Sequence, residues 1–307
     1  MTLFTPEVVT EKVKSGYEFR QAELSRLKLE STNIDEAVFI ECYMRGAIFT
    51  DVSCLKSQFK NTNASFAKFK NTNFSLANLE RIELNSASLD NVILNNANGY
   101  KARLFGAKLN DVKADRINFS FADFRETSGK NIGFNSANLN KTFLSKTNFT
   151  DVSFERATVT NAGLQNSTIV NSRWHKANLQ NTNLNKSKIT NAYFNDASLV
   201  NSKFNEAELE RISFLEAELL ETSFYGAYIN NVDFSNSILI SSNLEGAKLS
   251  NINLTNANLQ DANCENTSWE NVILTDCNVS GAIFSNAQGL TDKQKQLLKN
   301  NGALNVT

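Results

Sequence analysis

The amino-acid sequence predicts an all-β solenoid, and three regularities in its 307 residues indicate that class. A large apolar residue recurs at every fifth position, and a small or β-branched residue stands two places before it. A second period, of twenty residues, overlies the first. Neither the five-residue nor the twenty-residue period matches the two-residue period of a strand or the 3.6-residue period of a helix. The chain therefore repeats a short unit that can bury its apolar side chains only by stacking on its neighbours.

The five-residue period runs from Phe19 to Phe284 without an insertion. Fifty of its 54 central positions hold Leu, Phe, Ile, Val, Met, Trp or Cys, and two residues earlier 52 of 54 hold Ala, Ser, Thr, Cys, Val or Ile. The other three positions are mostly polar, so each unit has two inward and three outward side chains. The predicted core includes Trp174, Phe214, Phe224, Phe234, Leu244 and Leu254.

The twenty-residue period sets the size of one coil. Val or Ile takes the small inward position eleven times, and nine of these residues, among them Val52, Val152 and Val272, are separated by multiples of twenty. The residue before this column is Asn or Asp at eleven of twelve places. Four units per coil, with a square cross-section and one distinct face, is the simplest geometry. Ser172 stands in this column beside Trp174, which indicates that core volume is conserved.

Short helices are predicted at both ends of the repeat. Segment 5–16 has Thr5 as N-cap and Pro6 at the first helical position, and segment 290–302 has Thr291 as N-cap and an apolar Leu297–Leu298 pair. The predicted organisation is an N-terminal helical cap (1–16), the repeat (17–288) and a C-terminal element (289–307). The last element either caps the final coil or mediates a homodimer.

One stretch is less regular, because Gly99, Ala114 and Gly129 interrupt the large apolar positions within two coils. We expect neighbouring large side chains such as Tyr100 or Phe105 to fill the space that these residues leave. The alternative is a bend or a contact site.

Units such as ANLQD (257–261) and ANLER (77–81) resemble those of the pentapeptide-repeat family, and the resemblance covers about residues 17–288. It implies a right-handed quadrilateral β-helix with four pentapeptides, or twenty residues, in each of about 13 coils. Some members of that family mimic the width and charge of DNA and protect type II topoisomerases such as gyrase.

The sequence predicts no catalytic, cofactor-binding or metal-binding residue, and therefore no enzyme. His175 is the only histidine and is predicted to be exposed, and no phosphate-binding loop or hydrolase motif occurs. The four cysteines fall at inward positions, which favours a reducing, cytoplasmic setting. No stretch of 18 apolar residues is present and the sequence predicts no signal peptide, so no membrane association is expected.

Charge is segregated along the chain although its net value is only −1. Residues 56–190 hold 19 basic and 9 acidic residues, whereas residues 196–276 hold 3 basic and 13 acidic residues. Stacking of residues twenty apart is expected to pair some of these charges, as in Lys186–Glu206, Lys188–Glu208 and Lys176–Asp196. The remaining carboxylates form a candidate partner-binding acidic surface made of Glu216, Glu218, Glu221, Glu245, Asp261, Glu265 and Glu270.

The favoured function is a rigid, non-catalytic scaffold that binds a protein partner of unknown identity. The alternative is a DNA mimic that binds and protects gyrase through the acidic C-terminal half. This alternative is disfavoured because residues 56–190 are basic and the register leaves no inserted loop. Direct binding of nucleic acid by the basic zone is disfavoured because its outward positions are expected to carry few aromatic residues for base stacking.

Overall fold

The computed structural model describes residues 4–307, which form two short helices and fifteen strands. Residues 1–3 of the predicted N-terminal cap lie outside the described residues. Helix α1 spans Pro6–Lys14 and helix α2 spans Asp292–Asn300. The strands are β1 (Glu18–Arg20), β2 (Lys28–Glu30), β3 (Val38–Ile40), β4 (Ile48–Thr50), β5 (Lys68–Lys70), β6 (Ser88–Asp90), β7 (Lys108–Lys113), β8 (Ser128–Gly133), β9 (Asn148–Ser153), β10 (Thr168–Arg173), β11 (Lys188–Tyr193), β12 (Glu208–Ser213), β13 (Tyr228–Asp233), β14 (Lys248–Asn253) and β15 (Ser268–Ile273).

The chain divides into two compact units, each of which is a parallel β-solenoid. Unit 1 ends at Thr158 and contains α1 and β1–β9, and unit 2 is Val159–Thr307 with β10–β15 and α2. Within each unit, strands one coil apart pair in parallel with a register of twenty residues, as in Phe49 opposite Phe69 and Leu249 opposite Trp269. The two units together contain about 13 coils, which confirms the predicted fold class.

Each coil has four sides of five residues, which we call faces A to D. In the coil 217–236, face A is 217–221, face B is 222–226, face C is 227–231 and face D is 232–236, and the other coils follow at intervals of twenty. From β7 onward, the strand on face C continues across the corner into face D. The last residue of a face takes a left-handed backbone conformation at nearly every corner, for example φ 58° at Glu216 and 53° at Glu221.

The inward side chains stack in columns along each unit. In unit 2 the rings of Trp174, Phe194, Phe214 and Phe234 lie one above the next, with centroids 5.3, 5.1 and 5.1 Å apart. Phe224, Leu244 and Leu254 are likewise buried, and no member of the predicted core is more than 2% exposed. The Trp174 indole N–H donates to Ser172 Oγ at 2.9 Å, so Ser172 contributes a hydrogen bond as well as space.

The Asn/Asp column that marks the twenty-residue period occupies the last position of face C. These residues adopt positive φ, which Asn and Asp tolerate better than most side chains. Their side chains also form a hydrogen-bonded ladder between coils. Asn71 Nδ2 donates to Asp51 Oδ1 at 2.7 Å, and Asn91 Nδ2 donates to Asn71 Oδ1 at 2.8 Å. The column therefore combines a backbone requirement with side-chain bonding between coils.

The irregular stretch is packed differently from the expectation. A Cβ atom at Gly99 would lie 2.3 Å from the Phe119 ring, and one at Gly129 would lie 2.2 Å from the Leu109 carbonyl oxygen and 2.8 Å from Ile132 Cδ1. Phe119 therefore fills the space at Gly99, and the backbone and Ile132 fill that at Gly129. The expectation for Tyr100 and Phe105 was wrong, because both belong to outward positions and Phe105 is exposed.

Both terminal segments pack on the end of their own unit. Thr5 caps α1, whose Val9 is buried, and the rings of Phe4 and Phe19 meet edge to face at 5.4 Å. At the other end Thr291 forms a capping box with Gln294. Only Leu298 of the predicted apolar pair is buried, because Leu297 faces solvent. No helix within residues 4–307 is long and apolar enough to cross a membrane.

The chain after α2 also bonds to the final coil. The Gly281 N–H donates to the Gly302 carbonyl at 2.9 Å, the Phe284 N–H donates to the Leu304 carbonyl at 2.9 Å, and the Leu304 N–H donates to the Ala282 carbonyl at 2.8 Å. These bonds satisfy backbone groups that an open coil would leave unpaired. Homodimerisation through this end stays a prediction.

Aspartate at a core position should unfold the surrounding coils, whereas aspartate at an outward position should be tolerated. Phe214→Asp or Leu254→Asp buries an unpaired charge and should lower the free energy of unfolding by about 4 kcal/mol or more. Asn258→Asp is the control, because its Oδ1 only accepts hydrogen bonds from Gln260 N and Asn278 Nδ2, and it should cost less than about 1 kcal/mol. Equal melting temperatures of the core variants and the Asn258→Asp control would contradict the assignment of inward and outward positions.

The four thiols should be unreactive in the folded protein. Cys42, Cys54, Cys264 and Cys277 are buried and free, and burial raises the pKa of the Cys277 thiol to about 12. Burial also raises the pKa of each of the other three thiols. Since the thiolate is the nucleophile, a disulfide reagent at mildly alkaline pH should modify the thiols only after denaturant is added. Rapid modification of the native protein would contradict this prediction.

Candidate interaction surfaces

Buried side chains fill the described interior of each unit. No group of three or more His, Cys, Asp or Glu within residues 4–307 is placed to hold a metal ion. His175 lies at the surface, where its Nδ1 is 3.3 Å from a carboxylate oxygen of Asp196. Outward faces with unusual charge or apolar exposure are therefore the candidate functional sites.

The acidic surface lies in unit 2, but its seven carboxylates do not form one compact patch. Glu218, Glu221 and Asp261 belong to face A, and Glu216 stands at the corner that leads into it. Glu245 and Glu265 occupy the same position of face B in successive coils. Glu270 is separated from the other six because it lies on face C, where it accepts a hydrogen bond from Ser250 Oγ at 3.0 Å.

Three other acidic residues of unit 2 form ion pairs with basic side chains one coil away or beside them. Lys188 Nζ lies 2.8 Å from Glu208, Lys186 Nζ lies 3.5 Å from Glu206, and Arg211 pairs with Glu210 at 3.1 Å. The first two pairs are those expected from stacking. The expected Lys176–Asp196 pair is replaced by His175–Asp196, because the adjacent imidazole reaches the same carboxylate.

Among the described residues, none of the seven carboxylates of the acidic surface has an ion-pair partner. Asp261 accepts a hydrogen bond from Gln260 Nε2 at 3.2 Å, and Glu245 accepts one from Asn263 Nδ2 at 3.5 Å. Apolar groups stand beside these charges. The backbone of Glu218 pairs with that of the exposed Ile238 in the next coil. The exposed Tyr225 occupies the position of Glu245 one coil earlier. Apolar groups ringed by charge are typical of protein interfaces.

A second surface in unit 1 was missed by the sequence reading, which expected few outward aromatic residues in the basic zone. Phe66, Phe105, Phe121 and Phe143 are 38–55% exposed and line one open groove of about 1070 Å³ on face B and its corner with face A. We call it the aromatic groove, with Arg81 and Lys101 among its lining residues. The register could have revealed it, because each of these phenylalanines occupies an outward position of its unit.

Cations lie over the exposed rings of this face. The Arg45 guanidinium is 4.1 Å from the centre of the Phe66 ring, and Arg125 is 5.9 Å from that of Phe105. Lys101 and Lys141 approach the Phe121 ring from neighbouring coils, at 6.0 and 5.4 Å. Cations are attracted to the negative face of an aromatic ring, so the face is both cationic and aromatic.

Two carboxylates in the groove are tied to arginines. Glu83 Oε1 is 3.0 Å from Arg103 Nη1. Asp123 accepts two hydrogen bonds from Arg125, one from Nε at 2.9 Å and one from Nη2 at 2.6 Å. Burial opposes ionisation of Asp123, but the hydrogen bonds and charge of Arg125 outweigh it, and the pKa of this carboxyl lies below its usual value. The two-point contact fixes the plane of the Arg125 guanidinium.

Comparison with solved structures finds pentapeptide-repeat proteins. A trypsin-treated form of QnrB1, a plasmid-mediated fluoroquinolone resistance protein, is 20% identical over 68% of this chain and 94% of its own, with a TM-score of 0.38. HetL, involved in heterocyst differentiation regulation in the cyanobacterium Nostoc sp. strain PCC 7120, is 21% identical over 91% of this chain and 97% of its own, with a TM-score of 0.26. A protein of the Arabidopsis thaliana thylakoid lumen is 28% identical over 36% of this chain and 74% of its own, with a TM-score of 0.21.

The sequences of curated proteins contain no match to this chain. In contrast, the chain matches the model of the pentapeptide-repeat family in eight copies, and the matched residues are 57–96 and 134–287. These segments make up more than half of the chain, and they follow the same five-residue register as the coils of both units. The chain therefore belongs to the pentapeptide-repeat family.

Proposed function

We propose that this protein is a rigid, non-catalytic scaffold that binds a protein partner through the acidic surface of unit 2. The observation that carries the proposal is the contrast between two sets of carboxylates in that unit. Glu206, Glu208 and Glu210 pair with basic side chains, whereas the seven carboxylates of the acidic surface have no ion pair among the described residues. Glu245 and Glu265 are even stacked with like charge, which is mildly destabilising. A partner with basic side chains would relieve that repulsion.

Rigidity follows from the backbone bonding within unit 2. Residues of each coil bond to the coils before and after, for example Leu219 N–H to the Ile238 carbonyl at 2.7 Å and Ile238 N–H to the Ala217 carbonyl at 3.0 Å. Side chains on such a lattice keep fixed spacings of about 4.8 Å between coils. A preorganised surface loses little conformational entropy when a partner binds.

The absence of catalysis is part of the same proposal. The core columns fill the interior, and the aromatic groove opens to solvent along its length. Catalytic sites usually exclude water from the reacting groups, and a shallow open face is poorly suited to that task.

Reversing charge on the acidic surface should weaken binding of the partner. Wild-type protein and two double variants would be used to capture proteins from extracts of the native host, with identification by mass spectrometry. Glu221→Lys with Asp261→Lys alters the acidic surface, and Glu206→Lys with Glu208→Lys makes the same charge change at paired positions. For the purified partner we expect Kd to rise about tenfold or more in the first variant, because each lost charge contact is worth about 1 kcal/mol.

The control variant should change Kd by less than about threefold. Equal effects of the two variants would show that net charge matters and the acidic surface does not. A partner that binds all three proteins equally would also contradict the proposal.

DNA mimicry remains the second candidate, because unpaired carboxylates on neighbouring faces could imitate phosphates. The surface is confined to part of one unit, and the residues before it are basic, so we expect no effect on gyrase. A supercoiling assay should show neither inhibition nor protection from a quinolone at low micromolar protein. Half-maximal inhibition in that range would place mimicry first.

A further inference from the structure

We propose that the aromatic groove of unit 1 binds single-stranded polynucleotide, with phosphates along its corner cations and bases stacked on its aromatic rings. This inference is independent of the proposed scaffold function, because the acidic surface lies in unit 2. It reverses the expectation from sequence, which depended on the outward positions of the basic zone carrying few aromatic residues.

The first argument is the chemistry of the exposed apolar groups. The four phenylalanines of the groove are the exposed phenylalanines of the described chain. Apart from these rings and Ala102, the lining consists of Asn, Ser, Arg, Lys, Glu and Asp, with no Leu, Ile, Val or Met. A groove for an apolar protein segment would be expected to expose aliphatic groups as well. Rings set among polar groups fit planar bases, which stack on aromatic side chains.

The second argument is a row of cations along one rim. Arg81, Lys101 and Lys141 share the last position of face A in their coils, and Phe121 occupies the same position between the two lysines. None of the four residues at this position between 81 and 141 is acidic. Arg81 Nε lies 3.9 Å from Glu80 Oε1, whereas Lys101 and Lys141 have no ion pair among the described residues. A chain of phosphates would neutralise these two lysines and release counterions.

The third argument concerns the two carboxylates, which would otherwise repel phosphates. Glu83 and Asp123 are each bonded to an arginine, at 3.0 Å to Arg103 and 2.6 Å to Arg125. The lining contains four cations, Arg81, Lys101, Arg103 and Arg125, against these two anions, so its net charge is positive. The two-point contact with Asp123 orients the Arg125 guanidinium plane, and oriented guanidinium groups stack on bases.

The form of the ligand follows from the stacking. Bases in a duplex are stacked on each other and do not offer their faces to a groove, so the site selects unpaired strands. DNA and RNA strands both offer unpaired bases and phosphates, and this shared chemistry is what the groove would recognise. We take the kind of strand, DNA or RNA, that binds with the lower Kd as the natural ligand.

The test is fluorescence anisotropy with labelled oligothymidylate and oligouridylate of about twelve nucleotides, a length that spans a typical groove site. A duplex of equal length is the comparison, and each titration is run at about 50 and about 200 mM salt. We expect micromolar Kd for one or both single strands at the lower salt and at least about tenfold weaker binding of the duplex.

Two variants separate stacking from charge. Phe105→Ala with Phe143→Ala should weaken single-strand binding about tenfold or more with the salt dependence retained. Lys101→Gln with Lys141→Gln should weaken binding and reduce the slope of log K against log salt by about 1.4, since each phosphate contact contributes about 0.7. The matched controls, Tyr193→Ala with Tyr228→Ala in unit 2 and Lys68→Gln with Lys108→Gln on face C, should leave Kd unchanged. Circular dichroism checks that each variant is folded.

Several results would overturn the proposal. One is the absence of single-strand binding below about 100 μM protein at the lower salt. Others are equal affinity for the duplex, or binding that the face C lysine variant weakens as much as the groove lysine variant does. Displacement of the strand by polyglutamate at equal charge concentration would show that the groove takes acidic protein segments instead. None of these outcomes bears on the acidic surface, whose test uses different variants.

Discussion

The structure depends on one constraint on each five-residue side. The first and third side chains of the side must point inward while its backbone forms hydrogen bonds to the coils before and after. Four such sides close a coil, so residues twenty apart come into register within each unit. An insertion or deletion of a single residue would move the apolar side chains that follow it out of the inward positions and into solvent. This is why 54 units follow one another without an insertion.

The same constraint turns the outer surface into columns, in which each side chain stands next to chemically related ones. Where a column holds Asn or Asp, the side chains form ladders that support the corners, as in Asn131 donating to Asp111 at 2.7 Å. Where it alternates in sign, ion pairs form between coils. Where it keeps one sign, as in Glu245 and Glu265, the fold tolerates like-charge repulsion.

Function in this architecture depends on which residues face outward, because the interior is occupied by the core. Faces A and B of unit 1 present cations and phenylalanine rings, whereas faces A and B of unit 2 present carboxylates with tyrosine and isoleucine beside them. A near-neutral net charge therefore conceals two surfaces of opposite charge on one chain.

The sequence alone determined the period, the coil size, the core and the helical ends, because these depend on residue type at fixed spacing and the backbone repeats without interruption. Only the tertiary structure decided that Phe119 fills the space at Gly99, that His175 and not Lys176 reaches Asp196, and that four outward phenylalanines share one groove. The seven acidic residues chosen from sequence were also found on several faces. Such outcomes depend on side-chain reach and on neighbours 18 to 23 residues apart, which composition and spacing do not specify.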